Sequence, residues 1–224
     1  MSKIYRIYKT LYELYGPQGW WPIIGHGYHK LDYSFPKNQD EIFEVCLGSI
    51  LTQNTTFTSV VKSLNNLHIK GALNIDSIEA MDIEELKEAI KPSGYFNQKT
   101  RYILEFIRFY KNLDGSVPTR EALLSVIGIG EESADSILLY GYNQREFKVD
   151  AYTKRFLIEL GLISANAKYK DIKNLMEVSL KKSIKDDNEL LKTYQEFHAL
   201  IVAHGKRYYS KKPYGIGCVL KDVV

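Results

Sequence analysis

Leu123–Tyr140 reads LLSVIGIGEESADSILLY, and Val149-Asp150 follows nine residues later. An apolar helix runs into a Gly-Ile-Gly turn, and a second apolar helix starts at once. Gly128 and Gly130 let the backbone take conformations closed to residues with a Cβ, so two helices can join through a very tight turn. The N–H groups of such a turn, together with the start of the next helix, point at solvent and suit a phosphate. A lone Gly-x-Gly carries little. The same pair between two apolar helices, with Asp150 22 positions after Gly128, carries far more.

Outward from this hairpin, helical periodicity dominates. Ile4, Ile7, Leu11 and Leu14 mark a first helix that stops at Gly16-Pro17. Gly16–Pro36 is rich in Gly, Pro and aromatics and reads as an ordered loop. Ile42, Val45, Cys46, Ser49 and Ile50 place a buried stripe on a helix from about Asp40 to Gln53. Val60 to Leu67, Ser77–Met81, Ile83–Ile90 and Ile103 to Tyr110 predict further helices. Ala151–Leu160, Tyr169–Lys182 and Asn188–Tyr209 complete the set. Few runs alternate with period two, so the expectation is an all-α fold of about ten helices without a substantial sheet. Two lobes are expected: a middle lobe of residues 40–143, and a second built from residues 1–39 plus 144–224.

The chain has 224 residues, 45% of them hydrophobic, enough to bury a core in one or two domains. A formal net charge of +3 is compatible with nucleic acid without being diagnostic of it. Cys46 and Cys218 are the only cysteines, and no secretory h-region opens the chain. That pattern predicts a reducing, cytoplasmic setting, with no disulfide framework and no membrane span.

Asp150 reads first as a helix N-cap ahead of Ala-Tyr-Thr-Lys. A carboxylate held there also stays ionised and oriented, suited to stabilising positive charge on a sugar or directing water. At this point the chain resembles the helix-hairpin-helix DNA glycosylases of the endonuclease III type. The resemblance rests on Val126–Gly130 with Ser133-Ala134, on Val149-Asp150, and on Leu51-Thr52-Gln53-Asn54-Thr55. It extends to Pro92–Phe96 with Lys99 and to His204-Gly205-Lys206, covering nearly the whole chain. It implies that Asp150 is the essential carboxylate and that Gln53 fills the space of a flipped base. It also implies that Gly128, Ile129, Gly130 and Lys206 meet DNA.

Two departures narrow what the resemblance implies. Bifunctional members carry a nucleophilic lysine two residues past the second hairpin glycine, where this chain has Glu132. A glutamate cannot form a Schiff base, so a monofunctional mechanism without strand cleavage is expected. Many members hold an iron–sulfur cluster on four cysteines after the His-Gly-Lys motif. Here HGKRYYSKKPYGIGC (204–218) keeps only Cys218, so no cluster and no other metal or cofactor is expected.

Trp20-Trp21-Pro22 reads either as core packing or as an aromatic ledge in a Gly/Pro-rich loop, with Phe57 as a further face. Taken with the other motifs it is similar to the bacterial 3-methyladenine DNA glycosylase III branch, which is monofunctional and clusterless. That resemblance implies a base pocket of Trp20, Trp21, Pro22 and Phe57. N-alkylated purines are cationic, and a cation over an aromatic face gains roughly 0.5–2 kcal/mol. The expected partner is duplex DNA with alkylated bases, and the expected protein is a nucleoid-associated monomer. Lys99, Lys148, Lys206, Arg207, Lys211 and Lys212 are candidates to offset Glu131 and Glu132 beside the turn. The alternatives are a related glycosylase for uracil, mismatched thymine or an oxidised base, or a non-catalytic DNA-binding module. The lesion range and the residue that wedges the duplex stay open.

Overall fold

Most helices begin where a small polar side chain can take up a first-turn N–H. Ser2, Asn38, Thr56, Asn74, Asp82, Thr119, Asp150 and Asp186 each do so. The computed structural model describes residues 2–223 and contains eleven α-helices. They are α1 Lys3–Tyr15, α2 Gln39–Leu51, α3 Phe57–Ile69, α4 Ile75–Ala80, α5 Ile83–Ile90 and α6 Phe96–Asn112. The rest are α7 Arg120–Leu124, α8 Glu131–Ser136, α9 Ala151–Glu159, α10 Tyr169–Ser183 and α11 Asp187–Tyr208. Short 3-10 turns occupy Lys91–Ser93 and Val219–Asp222. Among the described residues the only extended pairing is an isolated bridge between Ile23 and Gly27, so the all-α expectation holds. None of the described helices is long and apolar enough to cross a membrane.

The chain divides into two compact units. One comprises the described residues of Met1–Trp20, Tyr28–Tyr33 and Asn143–Val224, and the other Trp21–Gly27 with Ser34–Tyr142. In the first, Ile4, Ile7 and Leu11 of α1 are buried, and α1 packs on α10 and α11. Phe147 meets Tyr194 and Phe197 of α11 at 5.4 and 6.0 Å between ring centroids. Helix α9 lies so close on α11 that a Cβ on Gly205 would come within 2.5 Å of the Tyr152 ring.

In the second, middle unit, α2 is buried almost throughout, with Phe43, Leu47 and Ile50 set among Leu64, Ile103, Phe106 and Ile137. Helix α8 does not stop at Ser136. It widens into a π turn over Ile137–Gly141, closed by Tyr142 N–H donating to the Ile137 carbonyl at 3.2 Å. This turn packs on α2, with Gly141 facing Val45 and Cys46. Lys99 is 2% exposed, and its ammonium donates to the Leu51 and Ser93 carbonyls at 2.7 Å each. It caps the end of α2 from within, so it is not a surface cation. Burial pushes its pKa down to about 8.

The hairpin is tighter on one glycine than on the other. Helix α7 ends at Leu124, ahead of the expected stop, and the loop through Gly130 replaces its last turn. Gly128 has φ +90°, and a Cβ there would fall 2.2 Å from the Tyr102 ring. Gly130 is extended (φ −95°, ψ 178°) with open space around it, so its backbone does not require glycine. Arg120 ties α7 to α8 through Asp135, with Nε–Oδ1 at 2.7 Å and Nη2–Oδ2 at 3.3 Å. A Gly128→Ala variant should lose about 1–3 kcal/mol of stability, because strain and the clash with Tyr102 act together. Urea unfolding reads this, and an unchanged midpoint would show that the turn relaxes freely.

Candidate active site

The middle unit holds the hairpin, Gln53, Trp21, Pro22 and Phe57. Gln53 Nε2 donates to the Gly128 carbonyl at 2.7 Å and to Ser133 Oγ at 3.1 Å. Both amide hydrogens are thus spent on the hairpin, and only the carbonyl oxygen is left for another partner. Ile129 is 5% exposed, its side chain in the core and its N–H donating to Val126. Trp21 is 2% exposed and meets Phe57 edge-on at 5.2 Å and Tyr140 at 5.6 Å. Gly48 of α2 makes room for it, since a Cβ there would lie 2.9 Å from the indole. Pro22 and Phe57 are half-buried. Beyond Pro22 the loop is pinned by Glu44, which is 4% exposed and whose Oε1 accepts from Ile24 N–H at 2.8 Å. Burial pushes the Glu44 pKa up to about 7, Ile24 N–H opposing and Glu41 adding.

The other unit holds Asp150, Trp20 and Lys206. Asp150 caps α9 through a reciprocal box. Its Oδ1 accepts from Thr153 N–H at 2.7 Å and from Thr153 Oγ1 at 2.8 Å, and Asp150 N–H donates to Thr153 Oγ1 at 3.4 Å. Its Oδ2 lies 3.7 Å from His198 Nε2. Burial raises the Asp150 carboxyl, but His198, Lys148 and Thr153 N–H together outweigh it and hold the group well below the usual carboxylate range. His198 is pushed down by burial and by Lys148, with Asp150 pulling the other way. The pair is therefore an ionised carboxylate beside a neutral imidazole at physiological pH.

Trp20 is half-buried and meets His198 edge-on, ring centroids 5.9 Å apart. Its loop hangs from Glu196, a 2%-exposed residue of α11 that accepts from Gln18 N–H at 2.7 Å and Gly19 N–H at 3.3 Å. With Gln18, Tyr28, Lys30 and Lys206, Trp20 lines a cavity of about 260 Å³. Lys206 and Arg207 are exposed, as are Lys211 and Lys212, whereas Lys148 is 4% exposed and is no surface cation. Beside the hairpin Glu131 is met by Arg120 at 3.5 Å.

The C-terminal tail is organised by one thiol. His204 Nε2 lies 3.1 Å from Cys218 Sγ, Tyr209 Oη donates to the same sulfur at 3.1 Å, and Tyr15 Oη is 2.8 Å from His204 Nδ1. Cys46 is buried in the core of the middle unit. A four-thiolate cluster needs four cysteines, so this donor set does not fit one. Among the described residues no group of three or more His, Cys, Asp or Glu is arranged to hold a metal.

The profile of the HhH-GPD superfamily, base excision DNA repair proteins, matches residues 47–182. The chain belongs to this superfamily. Over 98% of its length it is 38% identical to the Methanocaldococcus jannaschii protein MJ1434, covering 94% of a protein whose assignment as a DNA repair glycosylase is provisional. It is 31% identical to Sulfolobus acidocaldarius endonuclease III over 81% of this chain and 80% of that one. Among solved structures it resembles Helicobacter pylori 3-methyladenine DNA glycosylase bound to 1,N6-ethenoadenine. The TM-score there is 0.74 and the identity 28%, over 92% of this chain and 98% of that one. An endonuclease III–DNA complex matches at TM-score 0.73 and 19% identity, a likeness of fold.

The sequence reading missed Glu44, Glu196 and His198. Glu196 and His198 are polar residues inside the buried apolar run of α11, Tyr194 to Val202, and that misfit was the available signal. Glu44 has a testable consequence. Folding raises its pKa from 4.5 to about 7, so the stabilisation from the protonated form is complete below pH 4.5 and is lost as pH rises through 7. From pH 4.5 to 8, wild type should lose on the order of 3 kcal/mol relative to Glu44→Gln. Urea titrations of both proteins at the two pH values measure this, and a difference independent of pH would contradict it.

Proposed function

We propose that the chain is a monofunctional DNA glycosylase that hydrolyses the N-glycosidic bond of N-alkylated purines, 3-methyladenine in type, flipped from duplex DNA. The observation that carries this reading is an ionised, helix-capping Asp150 in the same unit as the Trp20-lined cavity. The likeness to the H. pylori 3-methyladenine enzyme supports the choice of lesion.

The chemistry follows from the charges. As the C1′–N bond breaks, its electron pair neutralises the cationic base, which leaves as a neutral molecule. Positive charge moves to the sugar, where the Asp150 carboxylate stabilises it. A water oxygen then bonds to C1′, and its proton passes to Asp150 or to solvent. A pre-charged leaving group asks little of an acid, consistent with a site whose carboxyl is held ionised. Trp20 offers an aromatic face to the cationic base. Trp21 is buried against Phe57 and Tyr140, and with Pro22 and Phe57 it is assigned to the base pocket by the family resemblance. DNA contacts are assigned to the Gly128–Gly130 turn through the N–H groups of Gly128 and Gly130, the Ile129 N–H being held by Val126, and to Gln53 and Lys206. With Glu132 at the family's lysine position, Schiff-base strand cleavage is not expected. We assign no iron–sulfur cluster, and a monomer.

A second reading, release of an oxidised or mismatched pyrimidine, is favoured by the identity to endonuclease III. Single-turnover assays on duplexes carrying 3-methyladenine, 7-methylguanine, uracil, mismatched thymine or an oxidised pyrimidine separate the two. Free 3-methyladenine should appear, with strands left intact until alkali is added. Release confined to pyrimidines, or nicking without alkali, would overturn the proposal.

A further inference from the structure

Asp150 has two carboxylate oxygens, and the helix cap uses one of them. Oδ1 is filled by the N–H and hydroxyl of Thr153, while Oδ2 faces His198 Nε2 at 3.7 Å. That separation is within ion-pair reach but longer than a hydrogen bond. His198 is 1% exposed, so it is shut off from solvent, and its ring also abuts Trp20. Two residues earlier on α11, Glu196 holds the backbone leading into Trp20. One helix thus fixes the aromatic face and touches the carboxylate through a single imidazole.

We propose that His198 is a positioning residue that couples Trp20 to Asp150, resting on the glycosylase reading above. The neutral ring carries its proton on Nε2 and directs it at Oδ2. This fixes the rotation of the carboxylate and leaves the other lone pair of Oδ2 for the sugar. A base seated on Trp20 bears on the imidazole through the ring contact and brings Nε2 within hydrogen-bond length of Oδ2. Contacts of this kind are commonly long before substrate binds and tighten in the complex. Base binding and carboxylate alignment become one event, and His198 touches neither base nor sugar.

Two variants of the full chain separate this from mere packing. His198→Phe keeps a ring against Trp20 and removes the donor; His198→Gln keeps a donor near the Nε2 position. In single-turnover release of 3-methyladenine, His198→Phe should lower the limiting rate constant about tenfold or more, as misalignment of a reacting group does. The enzyme concentration giving half the limiting rate should be unchanged, and His198→Gln should recover most of the rate. A wild-type rate for His198→Phe, or a His198→Gln as slow as the Phe variant, overturns the proposal. Should either variant fail to fold, 15N-histidine NMR of the wild-type protein at neutral pH decides. A neutral Nε2–H tautomer whose resonance moves in Asp150→Asn supports the coupling, and an Nδ1–H tautomer or an imidazolium refutes it. Failure of wild type to release any base would count against the glycosylase reading and leave the tautomer measurement to judge His198 by itself.

Discussion

The arrangement turns on how one carboxylate is shared. Asp150 closes the start of α9 with Oδ1 and keeps Oδ2 for something else. A buried carboxylate is costly unless its charge is met. Here Thr153, His198 and Lys148 meet it, and the same contacts that make α9 begin at Ala151 keep the group ionised. The position of that carboxylate depends in turn on α9 lying against α11, where Gly205 is the residue that lets Tyr152 in. Structural and chemical demands fall on the same atoms, so the cap is also the proposed catalytic group.

A second constraint governs the Trp-Trp-Pro segment. Consecutive residues Trp20 and Trp21 belong to different units, and a buried glutamate anchors the loop within each: Glu196 for the residues before Trp20, Glu44 for those after Pro22. Backbone N–H groups in a Gly-rich loop have no helix partner, and a buried carboxylate satisfies them strongly because the bond is charge-assisted when ionised. The loop is irregular in conformation without being loosely held. The two indoles then diverge in use. Trp21 fills the space over Gly48, whereas Trp20 keeps a face on a cavity.

Much of this was legible in the sequence. Caps and 3.6-residue periodicity located the helices to within a few residues, because small polar side chains stand at most starts and apolar stripes run along the buried faces. The hairpin was legible at Gly128, where a positive φ and the Tyr102 ring both require glycine, and over-read at Gly130, which is extended and open. The π turn left no signal, since Ile137–Tyr140 is equally apolar in either helical form. Lys99 and Lys148 read as surface cations because sequence does not say which lysine finds carbonyls or a carboxylate inside. Glu44, Glu196 and His198 were passed over for a related reason: a polar residue in a buried helix face gains its meaning from a loop far away in sequence.

The account stands most directly on Asp150. Single-turnover release of 3-methyladenine by Asp150→Asn, with affinity for the same duplex measured alongside, examines it. Asparagine keeps the shape and a cap acceptor but removes the charge. The account predicts that release falls about 10²-fold or more while DNA affinity is retained. Release at the wild-type rate by a folded, DNA-binding variant would contradict it.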